Sequence, residues 1–352
     1  MEFASDNTAG VCPEVLDAVV REAGHTDAAY GDDLSSARLV EVLSELFEHP
    51  VAVHPVATGT AANSLALAAT SPPWGGVLCH ERAHVAVDEL AAPTAIGNGL
   101  SLVGLPGEHG RIAPGAIDAA HRRIDHGVHT VPFTALTLTQ STEAGTRYHV
   151  DTVAELCAEA AGHGLVVHMD GARFANAVAA TAATPAELTW RAGVDLLSLG
   201  ATKGGALAAE AVVVFTPGLA PDLDRHRKRN GHLVSKQRLV SAQFLGWLDD
   251  DAWLRHADHA NSLAARLGRG LGDAGLEILH PVETNMVFAA LDAEADAALR
   301  SAGAHYYTLP LADGLVEGRF VTSWATRADE VERLIATALT LGRGTVTPPP
   351  LP

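Results

Sequence analysis

Leu165-Val166-Val167-His168-Met169-Asp170-Gly171-Ala172-Arg173 is the stretch that decides the fold. Its first five residues are mostly apolar on both faces, as in a strand buried within a sheet that helices cover on each side. Its acidic end falls where open α/β sheets bind ligands, at the carboxyl end of a strand. Working outward, similar runs recur at Leu136-Thr137-Leu138-Thr139, Leu196-Leu197-Ser198-Leu199 and Ala211-Val212-Val213-Val214-Phe215. Helical patterns separate them, among them Val150 to Ala160. An earlier helix shows one face through Leu39, Val42, Leu43 and Leu46. Strand alternating with helix predicts a doubly wound α/β core with a mostly parallel sheet.

The last third changes character. From about Asp251 the chain is helix-rich, with short strands expected near Asn285 to Ala289 and Phe320 to Ser323. The expected division is an N-terminal segment, 1–30, that can join the smaller domain; a large α/β domain, 31–250; a small α+β domain, 251–342; and a disordered tail, 343–352. Prolines at 348, 349, 350 and 352 suit neither a ladder nor a helix interior.

With 352 residues, 47% of them hydrophobic, the chain is long enough for a sizeable core. Its net charge of −18 repels phosphate backbones and anionic lipid, which argues against nucleic-acid and membrane-surface partners. No apolar run has the length of a bilayer span. Three cysteines, Cys12, Cys79 and Cys157, are far apart and odd in number, which points away from a disulfide framework and toward a reducing, cytoplasmic setting.

Lysine occurs only at Lys203, Lys228 and Lys236, so Schiff-base chemistry has three candidates. Lys228 and Lys236 belong to a basic stretch, Arg225 to Arg238, of the kind that makes a solvated face or an anion clamp. Lys203 follows an apolar strand and sits among small residues, in Gly200-Ala201-Thr202-Lys203-Gly204-Gly205. An amine at a buried strand end is poorly hydrated, which favours its neutral, nucleophilic form. Asp170 ends another strand some thirty residues earlier. An acid there suits the ring nitrogen of pyridoxal phosphate, which must stay protonated to act as an electron sink; it would also serve as a helix cap. Thr58-Gly59-Thr60-Ala61 opens a helix with small residues and offers free backbone amides to a phosphate. His80-Glu81-Arg82-Ala83-His84 spells a zinc-hydrolase signature. That chemistry requires both histidines on a helix and a third ligand, whereas Gly76 to Cys79 reads as a strand leading into a loop.

Together these segments resemble the low-specificity L-threonine aldolases, in the β-eliminating-lyase branch of the pyridoxal-phosphate enzymes with the aspartate-aminotransferase fold (fold type I). The similarity also takes in Ser5-Asp6-Asn7, Tyr30-Gly31-Asp32-Asp33, Thr139 to Thr146, Ser235-Lys236-Gln237-Arg238 and Arg319 to Trp324, covering about residues 3 to 325. The resemblance implies cleavage of L-threonine, L-allo-threonine and β-aryl serines to glycine and an aldehyde. It assigns the cofactor lysine to Lys203, the ring-nitrogen partner to Asp170 and the ring-stacking imidazole to His84. Gly59 and Thr60 become the phosphate loop. Ser5, Arg173, Arg319 and Tyr30 become substrate-binding groups. Lys228 and Lys236 are placed near the phosphate, partly across a subunit boundary in a homodimer or homotetramer. Glu143 stands where many aldolases carry histidine, so the base that takes the β-hydroxyl proton is His84, Glu143 or a water between them. A racemase or β-eliminating lyase would use the same residues.

Overall fold

The computed structural model describes residues 1–123 and 127–341. The tail expected at 343–352 lies outside them. Seven strands form the main sheet: β1 (Ala52–Val56), β2 (Gly76–His80), β3 (Ser101–Leu105), β4 (Phe133–Thr139), β5 (Val166–Gly171), β6 (Leu196–Gly200) and β7 (Glu210–Val214). Their spatial order is β1-β7-β6-β5-β4-β2-β3. β6, β5, β4, β2 and β3 pair in parallel, while β7 runs against both of its neighbours. The four runs read as strands are all strands, but the one at Ala211 is antiparallel. A strand buried on both faces looks the same in either direction. The link from β6 to β7 was the available signal, since residues 201–209 are too few for the crossover that parallel neighbours require.

Helices cover both faces. Helix α1 (Pro13–Ala23) starts on a proline, which has no amide to leave unpaired. Helix α2 (Leu34–Leu46) is capped by Asp33, whose carboxylate accepts from the Ser36 amide at 2.7 Å. It buries Leu39 and Leu43, four residues apart, each contributing about 1.5–3 kcal/mol by leaving water. Helix α3 (Gly59–Thr70) is capped by Thr58 and is small and apolar almost all round, because it lies beneath the sheet.

The C-terminal part adds a second, antiparallel sheet of β8 (Met286–Leu291), β9 (Tyr307–Pro310) and β10 (Val316–Val321), in the order β8-β10-β9. Its core joins Leu263, Leu267, Val287 and Phe320 to Phe3, from the start of the chain. Phe3 is stitched in by its amide to the His305 carbonyl and by its carbonyl from the Val321 amide, each at 2.8 Å. The long helix Ala252–Asp273 ties the two parts together. Its Asn261 and the Asn176 of helix Phe174–Ala179 exchange hydrogen bonds of 2.9 and 3.0 Å.

Candidate active site

A crevice of about 590 Å³ opens between the two sheets, at the carboxyl ends of β5 and β6. Ser5, His84, Glu143, Arg173, Lys203 and Arg319 line it together, six of the residues expected from the sequence.

Lys203 sits in a tight turn, Thr202–Gly204, directly after β6. The turn is built around absent side chains. A Cβ on Gly204 would lie 2.7 Å from Nε1 of Trp247, which donates to the Gly204 carbonyl at 3.1 Å. Gly205 takes a φ of +117°, a conformation that L side chains rarely adopt. The lysine is therefore presented from a backbone pinned against a buried tryptophan.

Asp170, on neighbouring β5, is buried. One oxygen accepts from the Ala172 amide at 3.1 Å and the other from Nδ2 of Asn63 at 2.9 Å. Asn63 lies one turn into α3, so the α3 start, with Gly59 and Thr60, faces the same end of the sheet. The same Asn63 amide also reaches Glu89 at 2.9 Å, and Glu89 accepts from Nδ1 of His84 at 2.8 Å. His84, Glu89, Asn63 and Asp170 thus form one continuous hydrogen-bonded chain. Burial, with Asp170 nearby, pushes the Glu89 carboxyl above its ordinary range. Its hydrogen bond raises the His84 imidazole and fixes Nε2 as the nitrogen free to face the crevice. His168, two residues before Asp170 on β5, is fully buried, and desolvation lowers it to about 4; it is neutral and bonded to Ser198 at 2.9 Å.

Arg173 has a partner the sequence reading did not assign. Asp6 accepts from its Nε at 2.7 Å and from its Nη2 at 3.0 Å, and also from Asn285 at 3.1 Å. Burial alone would raise the Asp6 carboxyl, but the charges of Arg173 and Lys203 outweigh it and hold it low. Nη1 of Arg173 is left outside this pair. Arg319 donates to the Ala4 carbonyl at 3.1 Å, and burial and the nearby Arg173 lower its pKa. A buried and a half-buried guanidinium on one crevice favour an anion between them.

Three expected residues are elsewhere. Lys228 and Lys236 are exposed, and neither lines this crevice. Tyr30 lies beneath Lys228, whose Nζ is 4.7 Å from the ring centroid. Tyr30 borders a different cleft of about 460 Å³, with Arg227 and Gln237. Spacing alone gave no way of seeing this, because Lys228 is carried away on the helix Leu223–Arg229 and Lys236 follows in an exposed turn.

The zinc reading fails on geometry. His80 ends β2 and His84 starts a short helix, so they share no helix face. Nε2 of His80 donates to the Gly107 carbonyl at 3.2 Å, and its Nδ1 accepts from the Arg82 amide at 3.1 Å. Both ring nitrogens are engaged.

Asp6, Asn63, Glu89 and Glu210 are the polar residues to which the sequence reading gave no role. Glu210 begins β7 behind the Lys203 turn, where burial pushes it up to about 7. A charged residue within the apolar run Ala208 to Phe215 was the visible signal for it. Glu89 had none, being five residues from His84 in a loop.

The donor set fits pyridoxal phosphate. An amine at a strand end and an oriented imidazole line the crevice, and a buried carboxylate fixed by two donors and the start of α3 lie at the same end of the sheet. The three metal-capable residues at the site, His84, Glu89 and Asp170, are joined by hydrogen bonds to one another or through Asn63.

Comparison with known proteins agrees. Residues 2–294 match the family model of the beta-eliminating lyases. The chain is 43% identical over 335 residues to the low specificity L-threonine aldolase of Pseudomonas aeruginosa, covering 95% of each. It is 42% identical to that of a Pseudomonas species, over 95% of this chain and 96% of the relative. The solved threonine aldolase of Leishmania major superposes with a TM-score of 0.92 at 29% identity, over 97% of this chain and 99% of that one. A serine palmitoyltransferase of Sphingomonas wittichii shares the fold at a TM-score of 0.72 and 15% identity, over 97% and 87%.

Proposed function

The chain belongs to the beta-eliminating lyase family and is a carbon–carbon lyase of the threonine aldolase kind, and from that premise we propose how its own residues divide the work. It splits L-threonine and related β-hydroxy-α-amino acids into glycine and an aldehyde. The observation that carries the assignment is Lys203, Arg173 and Arg319 lining one crevice, with Asp170 buried at the end of the strand beside that of Lys203.

Pyridoxal phosphate, when bound, supplies an aldehyde that condenses with amines and a ring that withdraws the electron pair left at Cα. Lys203 would provide the amine that holds it. Asp170 would hold the proton of the ring nitrogen, its direction fixed by Asn63 and the Ala172 amide. His84, steadied by Glu89, would be the imidazole beside it. Gly59 and Thr60 would offer the phosphate their amides. Nη1 of Arg173 and the guanidinium of Arg319, with Ser5, grip the substrate carboxylate. That grip sets rotation about Cα, so the Cα–Cβ bond, and no other, is aligned for cleavage. Two side chains stand ready for the β-hydroxyl proton, Nε2 of His84 and the Glu143 carboxylate.

Tyr30, Lys228 and Lys236 serve the crevice of a neighbouring subunit, in a homodimer or homotetramer. In support, they cluster on an exposed face, and α1 and α2 expose Leu16, Val20 and Leu34. The three cysteines are free and buried, which suits a cytoplasmic enzyme.

The test is chemical. Protein loaded with pyridoxal phosphate and reduced with borohydride should carry the label on the peptide containing Lys203. A label on Lys228 or Lys236 overturns the assignment. The Lys203→Ala protein should take no label and release no acetaldehyde from L-threonine.

A further inference from the structure

The second sheet supplies one wall of the crevice, and it presents a carboxylate that the chemistry above does not use. On β10, Glu317 and Arg319 are two residues apart and face the same side. Arg319 is opposite Phe288 of β8 and Tyr307 of β9, and Glu317 is opposite Leu309 of β9; all five line the crevice. Glu317 is 7% exposed. Among the described residues its side chain has no hydrogen-bond donor. The nearest cation is Nη2 of Arg82, at 3.9 Å, on a side chain that is 48% exposed. Its oxygens keep contact with the open crevice, so a donor carried by a ligand would find the carboxylate without a competing partner from the described residues.

We propose that Glu317 reads the far end of the substrate side chain, selecting β-hydroxy-α-amino acids that end in a hydrogen-bond donor, an ammonium above all. This rests on the aldolase reading. Two residues along a strand span about 7 Å. A substrate whose carboxylate is held at Arg319 therefore brings the fifth or sixth atom of its side chain level with Glu317. Phe288 and Leu309 supply an apolar channel for the methylenes or ring between. Arg82, half in solvent, has room to withdraw.

The experiment compares donor-ended substrates with their blunt counterparts on the holoenzyme: 3-hydroxylysine with 3-hydroxynorleucine, and β-(4-hydroxyphenyl)serine with β-phenylserine. The parent protein should favour the donor-ended member of each pair in kcat/KM. Glu317→Leu should lower that ratio by about 10- to 100-fold, the worth of one hydrogen bond to a charged group. Glu317→Gln, which keeps the shape should the leucine variant fail to fold, should lose the preference for the ammonium and retain part of that for the phenol. Calorimetry with L-lysine and L-norleucine, which lack the β-hydroxyl, reads the same contact without turnover; lysine should bind more tightly to the parent and lose its advantage in both variants. Ratios unchanged by substitution overturn the proposal. Should the parent release aldehyde neither from these hydroxy acids nor from L-threonine yet prefer lysine through Glu317, the aldolase reading fails and the carboxylate's role stands.

Discussion

Asp6 and Arg173 carry opposite charges 167 residues apart, both buried and joined by two hydrogen bonds, of 2.7 and 3.0 Å. Removing one member of such a pair leaves the other charge buried without compensation, which costs about 3–5 kcal/mol. Asp6→Asn should lose stability of that order in urea unfolding, and it should bind substrate poorly because Arg173 is no longer aimed. The pH dependence follows from the direction of the shift. The Asp6 carboxyl is held below its ordinary value of 3.8, so its stabilisation is complete above about pH 4 and is lost as pH falls through the lower, native value. The parent should therefore weaken on acidification through this group, and Asp6→Asn should lack that limb. Identical acid profiles for the two proteins would remove the pair from the account.

At the scale of elements, the turn after β6 decides where the cofactor amine stands. Gly204→Ala would press a methyl against the indole of Trp247. Overpacking of this sort costs about 1–3 kcal/mol. The variant should melt lower and take the borohydride label at Lys203 more slowly; an unchanged melting point and labelling rate would show that the contact yields freely. The elements also show how far sequence carries. Central strands β4, β5 and β6 were legible because burial on both faces demands mostly apolar runs. β1, β3 and β9 were not: β1 contains His54 and Pro55, β3 is an edge strand half in contact with water, and β9 is four mostly exposed residues. Edge strands are under weaker demand for apolar side chains, so they leave a fainter pattern. In the site, Lys203 and Asp170 stood out by their place at strand ends. Asp6 matters through a partner 167 residues away, and Glu89 through His84 and Asn63 across irregular backbone, where no periodic pattern marks it.

For the whole molecule, the exposed cluster of Tyr30, Lys228 and Lys236 is the feature that one chain leaves without employment. Sedimentation should find a dimer or larger species, and Lys228→Ala should weaken uptake of pyridoxal phosphate, followed by equilibrium dialysis, without altering the fold seen by circular dichroism. A fully active monomer would refute the shared site. The stitching of Phe3 into the second sheet carries a different consequence. Ser5 and Asp6 arrive from the beginning of the chain and Arg319 from near its end, so the catalytic pocket closes only once the extremes of the polypeptide have met. Contacts so distant in sequence form late. Recovery of catalysis after dilution from denaturant should trail recovery of helix content, and ribosome-bound chains still lacking β10 would be catalytically silent however well their main sheet had formed.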